Sequence, residues 1–170
     1  ADEVIAKSGF IDLGITRRAQ PLDGPRGQLL ANARLDNFER GIANQMLDLL
    51  PTHDRLSSTF RFRLGSSRLT PRGELNLLRL REYLERQPPG TRIIFVGFTD
   101  SLGAFTSNLT LAEQRAASVM AEVQRVGAET LDGIEMSSVG FGELAPTGCN
   151  DPAGGGSRIN RRVEVWIEKP

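Results

Sequence analysis

Cysteine is almost missing from this 170-residue chain: Cys149 stands alone. One thiol cannot staple a fold by itself, and no cysteine pair has the spacing of a metal knuckle, so the core has to rest on apolar burial. Histidine is equally scarce. His53 is the only one, and it has no serine or cysteine beside it to activate. Excess charge of one sign is absent too. Twenty-one basic and 21 acidic side chains cancel, which leaves no electrostatic footprint for nucleic acid or an anionic membrane surface. Lysine occurs only as Lys7 and Lys169, the other basic residues being arginine. No apolar run approaches the ~20 residues that a membrane-spanning helix needs. The opening residues are polar and charged, unlike a secretory signal.

What remains, 39% apolar and 25% charged residues, suits one globular domain with a modest core and a short appendage. Three segments are read. Residues 1–18 carry a short apolar strand pattern around Phe10-Ile11-Asp12-Leu13, without a visible partner. Residues 19–56 begin with a Pro- and Gly-containing linker and continue as a helix over about 28–50. Its Leu35, Phe38, Ile42, Met46 and Leu49 form one stripe at helical spacing. The stripe predicts packing on a neighbouring domain, and a docking face for a second copy or an envelope partner is the competing use.

Residues 57–170 alternate strands and helices. Phe60, Phe62 and Leu64 alternate with Arg61 and Arg63 as a strand with one wet face. Thr70-Pro71 starts a helix, with Thr as cap and Pro in the first helical position. Ile93–Phe98 is a continuous apolar strand. Thr110 and Glu113 have capping-box spacing for the next helix. Ile134–Phe141 is a third strand, and Val163, Val165 and Ile167 alternate with polar neighbours in a last one. The order β-α-β-α-β-β predicts an α+β layered domain, helices packed on one mixed sheet, preceded by the amphipathic helix.

One stretch carries chemistry. Asp100 follows the apolar strand, and Arg115 lies on the inward side of the next helix, between Leu111 and Val119. Helical side chains lean toward the N-terminus, which aims the guanidinium back at the loop after Asp100. Near a helix start, free backbone N–H groups would add to its pull on an anion. A carboxylate and a guanidinium in one rigid strand–loop–helix unit can receive a zwitterion, ammonium on the first and carboxylate on the second. An Asp100–Arg115 salt bridge that merely holds the loop is equally compatible with the spacing.

Residues 57–170 resemble an OmpA-like peptidoglycan-binding domain. The motifs are Leu69-Thr70-Pro71, Gly97-Phe98-Thr99-Asp100 with Gly103, Asn108-Leu109-Thr110-Leu111-Ala112 leading to Arg115, Gly140-Phe141-Gly142-Glu143, and Asn160-Arg161-Arg162-Val163-Glu164. The resemblance implies that Asp100 and Arg115 hold the free amino-acid end of diaminopimelate in the peptide stems of a Gram-negative wall. Thr99, Asn108 and Leu109 match neighbouring pocket positions. It further implies a non-catalytic anchor in the periplasm or cell envelope, with no cofactor and no metal. The chain departs from the family in having Phe98 where a His is common and Ala112 where a Ser is usual. Residues 1–18 are similar to the end of a phosphate-type periplasmic substrate-binding domain, such as precedes OmpA-like domains in fused proteins. The alternative function is an interaction or oligomerisation module with a vestigial pocket.

Other residues read blandly. Asp100 and Glu143 are a carboxylate pair without the pattern of a hydrolase. Gly154-Gly155-Gly156 lacks the Lys and Ser/Thr of a phosphate loop. Arg161 and Arg162 alternate across a strand, so at most one faces the site and the other is exposed or paired with Glu164. Trp166, opposite the Val163–Val165–Ile167 face, is placed to support the 28–50 helix.

Overall fold

The computed structural model describes residues 36–145 and 158–170, with the backbone of Gln20–Pro21. The expected remnant at 1–18, Leu35 and the glycine run at 154–156 lie outside the described residues. The elements are β1 (Gln20–Pro21), α1 (Asn37–Leu49), β2 (His53–Arg61), α2 (Pro71–Leu84), β3 (Arg92–Phe98), α3 (Phe105–Val126), β4 (Glu135–Gly140) and β5 (Arg162–Glu168). They form one sheet in the order β1-β2-β5-β3-β4. β5 runs antiparallel to both neighbours, and β3 and β4 are parallel. Apart from the two-residue β1, this is the expected β-α-β-α-β-β domain on a mixed sheet.

Period-two alternation in the strands divides the core between the two faces of the sheet. Leu56, Phe60, Phe95, Val163 and Val165 point to one face, where Leu77, Leu80 and Leu84 of α2 and Ala116, Val119 and Val123 of α3 cover them. Thr70 starts α2 as expected: its Oγ1 accepts from Gly73 N at 3.2 Å, with Pro71 next in the chain. The opposite face carries Val96, Phe98 and Trp166, and α1 closes it with Ala43 and Met46. A reciprocal capping box between Asp36 and Glu39 begins α1. The amphipathic stripe is therefore spent on the domain's own sheet, and Trp166 supports it. Phe38 stays 54% exposed, its ring edge against Phe105.

Arg162 and Glu164 share that second face, both sealed from solvent. Arg162 Nε donates to Glu164 Oε2 at 2.6 Å, Trp166 Nε1 donates to Glu164 Oε1 at 3.2 Å, and the guanidinium lies 4.1 Å from the Phe98 ring centroid. Phe98 thus takes a cation–π role beside the buried pair.

Three boundaries differ from expectation. The first strand of the domain starts at His53 and ends at Arg61, so Leu64 falls in the following turn, 60% exposed. His53, within the segment read as linker and helix, opens this strand half-buried, with Thr52 Oγ1 2.8 Å and Leu49 O 3.1 Å from its Nδ1. α3 begins at Phe105 after an Ala104 that offers no side-chain cap. Thr110 lies inside the helix and its hydroxyl donates back to Thr106 O at 3.1 Å. Competition by a hydroxyl for a backbone carbonyl explains why Thr-x-x-Glu spacing alone misplaced the start.

Candidate functional site

The site sits at the carboxyl end of β3, where the central strand runs out and the chain turns toward α3. Two glycines make the approach possible. A Cβ on Gly97 would collide with the Ala112 carbonyl oxygen, and one on Gly140 with Glu113 N. The helix therefore lies directly on the backbones of β3 and β4, and Ala112 is small at this contact. Phe141 N donates to Gly97 O at 2.9 Å and Thr99 N to Gly142 O at 2.8 Å, which ties the two strand ends together.

Asp100 is 3% exposed. Its Oδ1 accepts from Leu102 N at 3.3 Å, shaping the turn, and its Oδ2 accepts from Arg161 Nη1 at 2.8 Å. Arg161 also donates from Nε to Phe62 O at 3.2 Å. The partner of Asp100 is thus Arg161, and the direct Asp100–Arg115 bridge allowed by the spacing is not formed. Of the two adjacent arginines, one faces the site and the other pairs with Glu164, as the alternation requires.

Arg115 is fully buried. It donates from Nε to Ser66 O at 2.8 Å, from Nη2 to Arg63 O at 3.2 Å and from Nη1 to Phe98 O at 3.4 Å, with its guanidinium carbon 5.2 Å from the Phe62 ring centroid. All three acceptors are neutral carbonyls. Burial lowers its pKa to about 10, the Asp100 charge opposing and the Arg161 charge adding to that shift. Because α3 starts at Phe105, Arg115 lies roughly 15 Å along the axis from the helix N-terminus. The free N–H groups of that end are therefore not its neighbours, contrary to expectation.

Asn108, 5% exposed, donates from Nδ2 to Glu143 Oε1 at 3.4 Å. Glu143 is half-buried. Burial pushes its pKa up, the Asn108 hydrogen bond opposes this, and the charges of Glu39 and Asp100 add to it. Thr99 is buried and its Oγ1 has no hydrogen-bond partner. Leu109 is half-buried, its backbone N beside Gly142, where a Cβ would stand 3.3 Å away. Thr99, Asp100 and Arg115 thus come from one strand end and one helix face, while Asn108 and Leu109 brace the Gly142–Glu143 turn. Sequence reasoning missed Arg161 as the carboxylate's partner and the Arg63 and Ser66 carbonyls as acceptors. The Asn-Arg-Arg motif was the available signal for the first, and backbone acceptors leave none. Among the described residues there is no group of three or more potential metal ligands.

Paired charges at the carboxyl end of a central strand, backed by a helix on a mixed sheet, belong to an α+β domain. The sequence profile of the OmpA family matches residues 61–161, and the chain belongs to that family. Outer membrane protein A of Bordetella avium is 44% identical over 75 residues, 44% of this chain and 37% of that protein. Outer membrane porin F of Pseudomonas aeruginosa is 31% identical over 114 residues, 67% of this chain and 31% of that one. The chain thus spans about a third of the length of these two curated relatives. Among solved structures, the C-terminal domain of Helicobacter pylori MotB superposes with a TM-score of 0.54 at 27% identity, covering 66% of this chain and 85% of that one. The peptidoglycan-associated lipoprotein of Burkholderia pseudomallei shares the fold, with a TM-score of 0.56 at 24% identity, covering 65% of this chain and 89% of that one.

Proposed function

We propose that this domain binds cell-wall peptidoglycan without catalysis, gripping the zwitterionic end of diaminopimelate in the peptide stem, and so anchors an envelope protein to the wall on the periplasmic side. The observation that carries this reading is Arg115, a sealed guanidinium whose acceptors are three neutral carbonyls and no carboxylate. A buried cation without a bonded counter-charge is costly, and an incoming carboxylate removes that cost. To reach Arg115 it must displace the Arg63 and Ser66 carbonyls. These belong to a turn around Gly65, whose φ of 66° belongs to the left-handed region. Asp100, already oriented by Arg161, has lone pairs left for the ligand ammonium, and the Thr99 hydroxyl lies next to it in the chain.

Further support comes from relatives. One solved structure of the same fold is named a peptidoglycan-associated lipoprotein, and the curated relatives are named outer membrane proteins and a lipoprotein. Ala43 and Met46 of the α1 stripe are buried within the domain and Ile42 and Leu49 partly so, which leaves Phe38 as the exposed apolar residue of that stripe among the described residues. Within the described residues no helix is long and apolar enough to cross a membrane.

Co-sedimentation with purified sacculi tests the reading, together with calorimetric titration of diaminopimelate. The parent domain is expected to pellet with sacculi, and Arg115→Met and Asp100→Ala to remain in the supernatant while keeping a native circular dichroism spectrum. Folded variants that pellet like the parent would remove this site assignment.

A further inference from the structure

Arg161, just ahead of β5, places a second guanidinium beside the Asp100–Arg115 pair. Its stem is fixed by Phe62, which donates its N to Arg161 O at 3.1 Å and accepts from Arg161 Nε at 3.2 Å. The ring of the same Phe62 lies 5.2 Å from the Arg115 guanidinium carbon, so one residue touches both cations. Burial is the main cause of the lowered Arg115 pKa, the Asp100 charge opposes it, and the Arg161 charge adds to it. The two guanidiniums therefore repel each other across the site. At about 10, the pKa still leaves Arg115 protonated at neutral pH.

Charge in this cluster does not balance. Two guanidiniums share one carboxylate, Asp100, which is bonded to Arg161 at 2.8 Å, while the three acceptors of Arg115 are carbonyls. Glu143 is hydrogen-bonded to Asn108 and is not among the charges acting on Arg115. One positive charge is left over in surroundings largely withdrawn from water, where it counts for most. A ligand ammonium would meet an aspartate already neutralised by Arg161. A ligand carboxylate would meet two cations with a single counter-charge between them. Access follows the same order: the Arg161 side chain is 12% exposed, whereas Arg115 is sealed. The two bonds from Arg161 Nε and Nη1 do not exhaust the five N–H donors of a guanidinium, so Arg161 can receive a carboxylate ahead of Arg115.

The structure assigns Arg161 as the residue that sets the selectivity of the site: with Arg115 it makes the ligand's carboxylate, rather than its ammonium, the group chiefly selected. This rests on diaminopimelate occupying the Asp100–Arg115 site, and it adds an order of preference between the ligand's two charges.

Calorimetric titration with three probes of one carbon chain tests it. Diaminopimelate carries both charges, its diamide keeps the ammoniums but has neutral carboxamides, and pimelate keeps the carboxylates but has no ammonium. Constant ionic strength keeps general screening from imitating selectivity. The parent domain is expected to lose roughly tenfold or more in affinity for the diamide, and less for pimelate. In Arg161→Gln, Asp100 loses its bonded cation, and the order of pimelate and the diamide is expected to reverse. Arg161→Lys, which keeps the charge, is expected to keep the order of the parent. A merely structural role for Arg161 would weaken all three probes alike, so an unchanged order in folded Arg161→Gln would overturn the proposal. So would a parent whose affinity for the diamide equals or exceeds that for pimelate, a result that needs no variant and leaves the anchoring function standing. A parent that binds none of the three removes both.

Discussion

Arg161 Nη1 stands 2.8 Å from Asp100 Oδ2, joining two residues far apart in the chain, with the side chains 12% and 5% exposed. The ion pair is largely withdrawn from water, so removing one member strands the other. Arg161→Gln is expected to lower unfolding free energy by about 2–4 kcal/mol, the penalty of an uncompensated buried charge. Asp100→Asn combined with Arg161→Gln should cost less than the sum of the two single changes. Urea unfolding of the four proteins closes the cycle, and strict additivity would show that the pair is uncoupled.

Gly97 should tolerate no side chain. Gly97→Ala drives a methyl group into the Ala112 carbonyl oxygen, and neither the central strand nor the helix axis can yield freely. A loss of about 2–3 kcal/mol or more is expected on overpacking grounds. Gly90→Ala offers the contrast. Nothing lies within 4 Å of a Cβ there, and only the strain of its positive φ remains. Equal melting temperatures for Gly97→Ala and the parent would contradict the close approach of α3 to β3.

Glu143 gives a pH-dependent signature. Its folded pKa lies above the ordinary glutamate value, mainly through burial. The ionised side chain therefore works against the fold at neutral pH, where it is charged in both folded and unfolded chains. As pH falls through the folded value and then below the ordinary one, the side chain becomes neutral in both states and the penalty disappears. Glu143→Gln is expected to raise the melting temperature at pH 7 and to bring no gain at pH values below the ordinary glutamate range. Thermal melts across acidic pH decide it, and a gain independent of pH would contradict the assignment.

Arg115 should titrate at about 10 in the folded domain, well below an exposed arginine. Burial favours the neutral form, so the fold bears a cost while the group is protonated in both states. That cost is relieved as pH rises through about 10 toward the ordinary arginine value. Carbon-detected NMR of the guanidinium carbon measures this directly. A bound carboxylate favours the cation, so saturating diaminopimelate is expected to move the titration upward. An unmoved titration in the presence of bound ligand would place that ligand elsewhere.

Much of the fold was legible in the sequence wherever the signal was local. Thr70-Pro71 marks α2 because a cap and a pre-set φ act within one turn, and the apolar run at Ile93–Phe98 marks β3 because a strand flanked by two others has little need of polar positions. The start of α3 was misread because Ala104 supplies no cap while Thr110 and Glu113 imitate one further along. In the candidate site, Asp100 and Arg115 were singled out by type and spacing together with the OmpA-like motifs around them. Their actual partners were not, since Arg161 reaches Asp100 only after β5 has been laid between β2 and β3. A backbone carbonyl such as Ser66 O has no residue type by which to be recognised. The surroundings of Arg162 likewise come from distant segments, the Ala145 carbonyl at 2.8 Å and the Phe98 ring among them.

The glycine contacts between α3 and the strand ends also have a mechanical meaning. Asp100 extends from the middle of the sheet, and Arg115 projects from the helix pressed against that same strand. Tension applied to a ligand held by both would enter the stiffest part of the molecule, while the outermost strands stayed unloaded. Such a tether would yield at its grip on the ligand before the protein itself came apart.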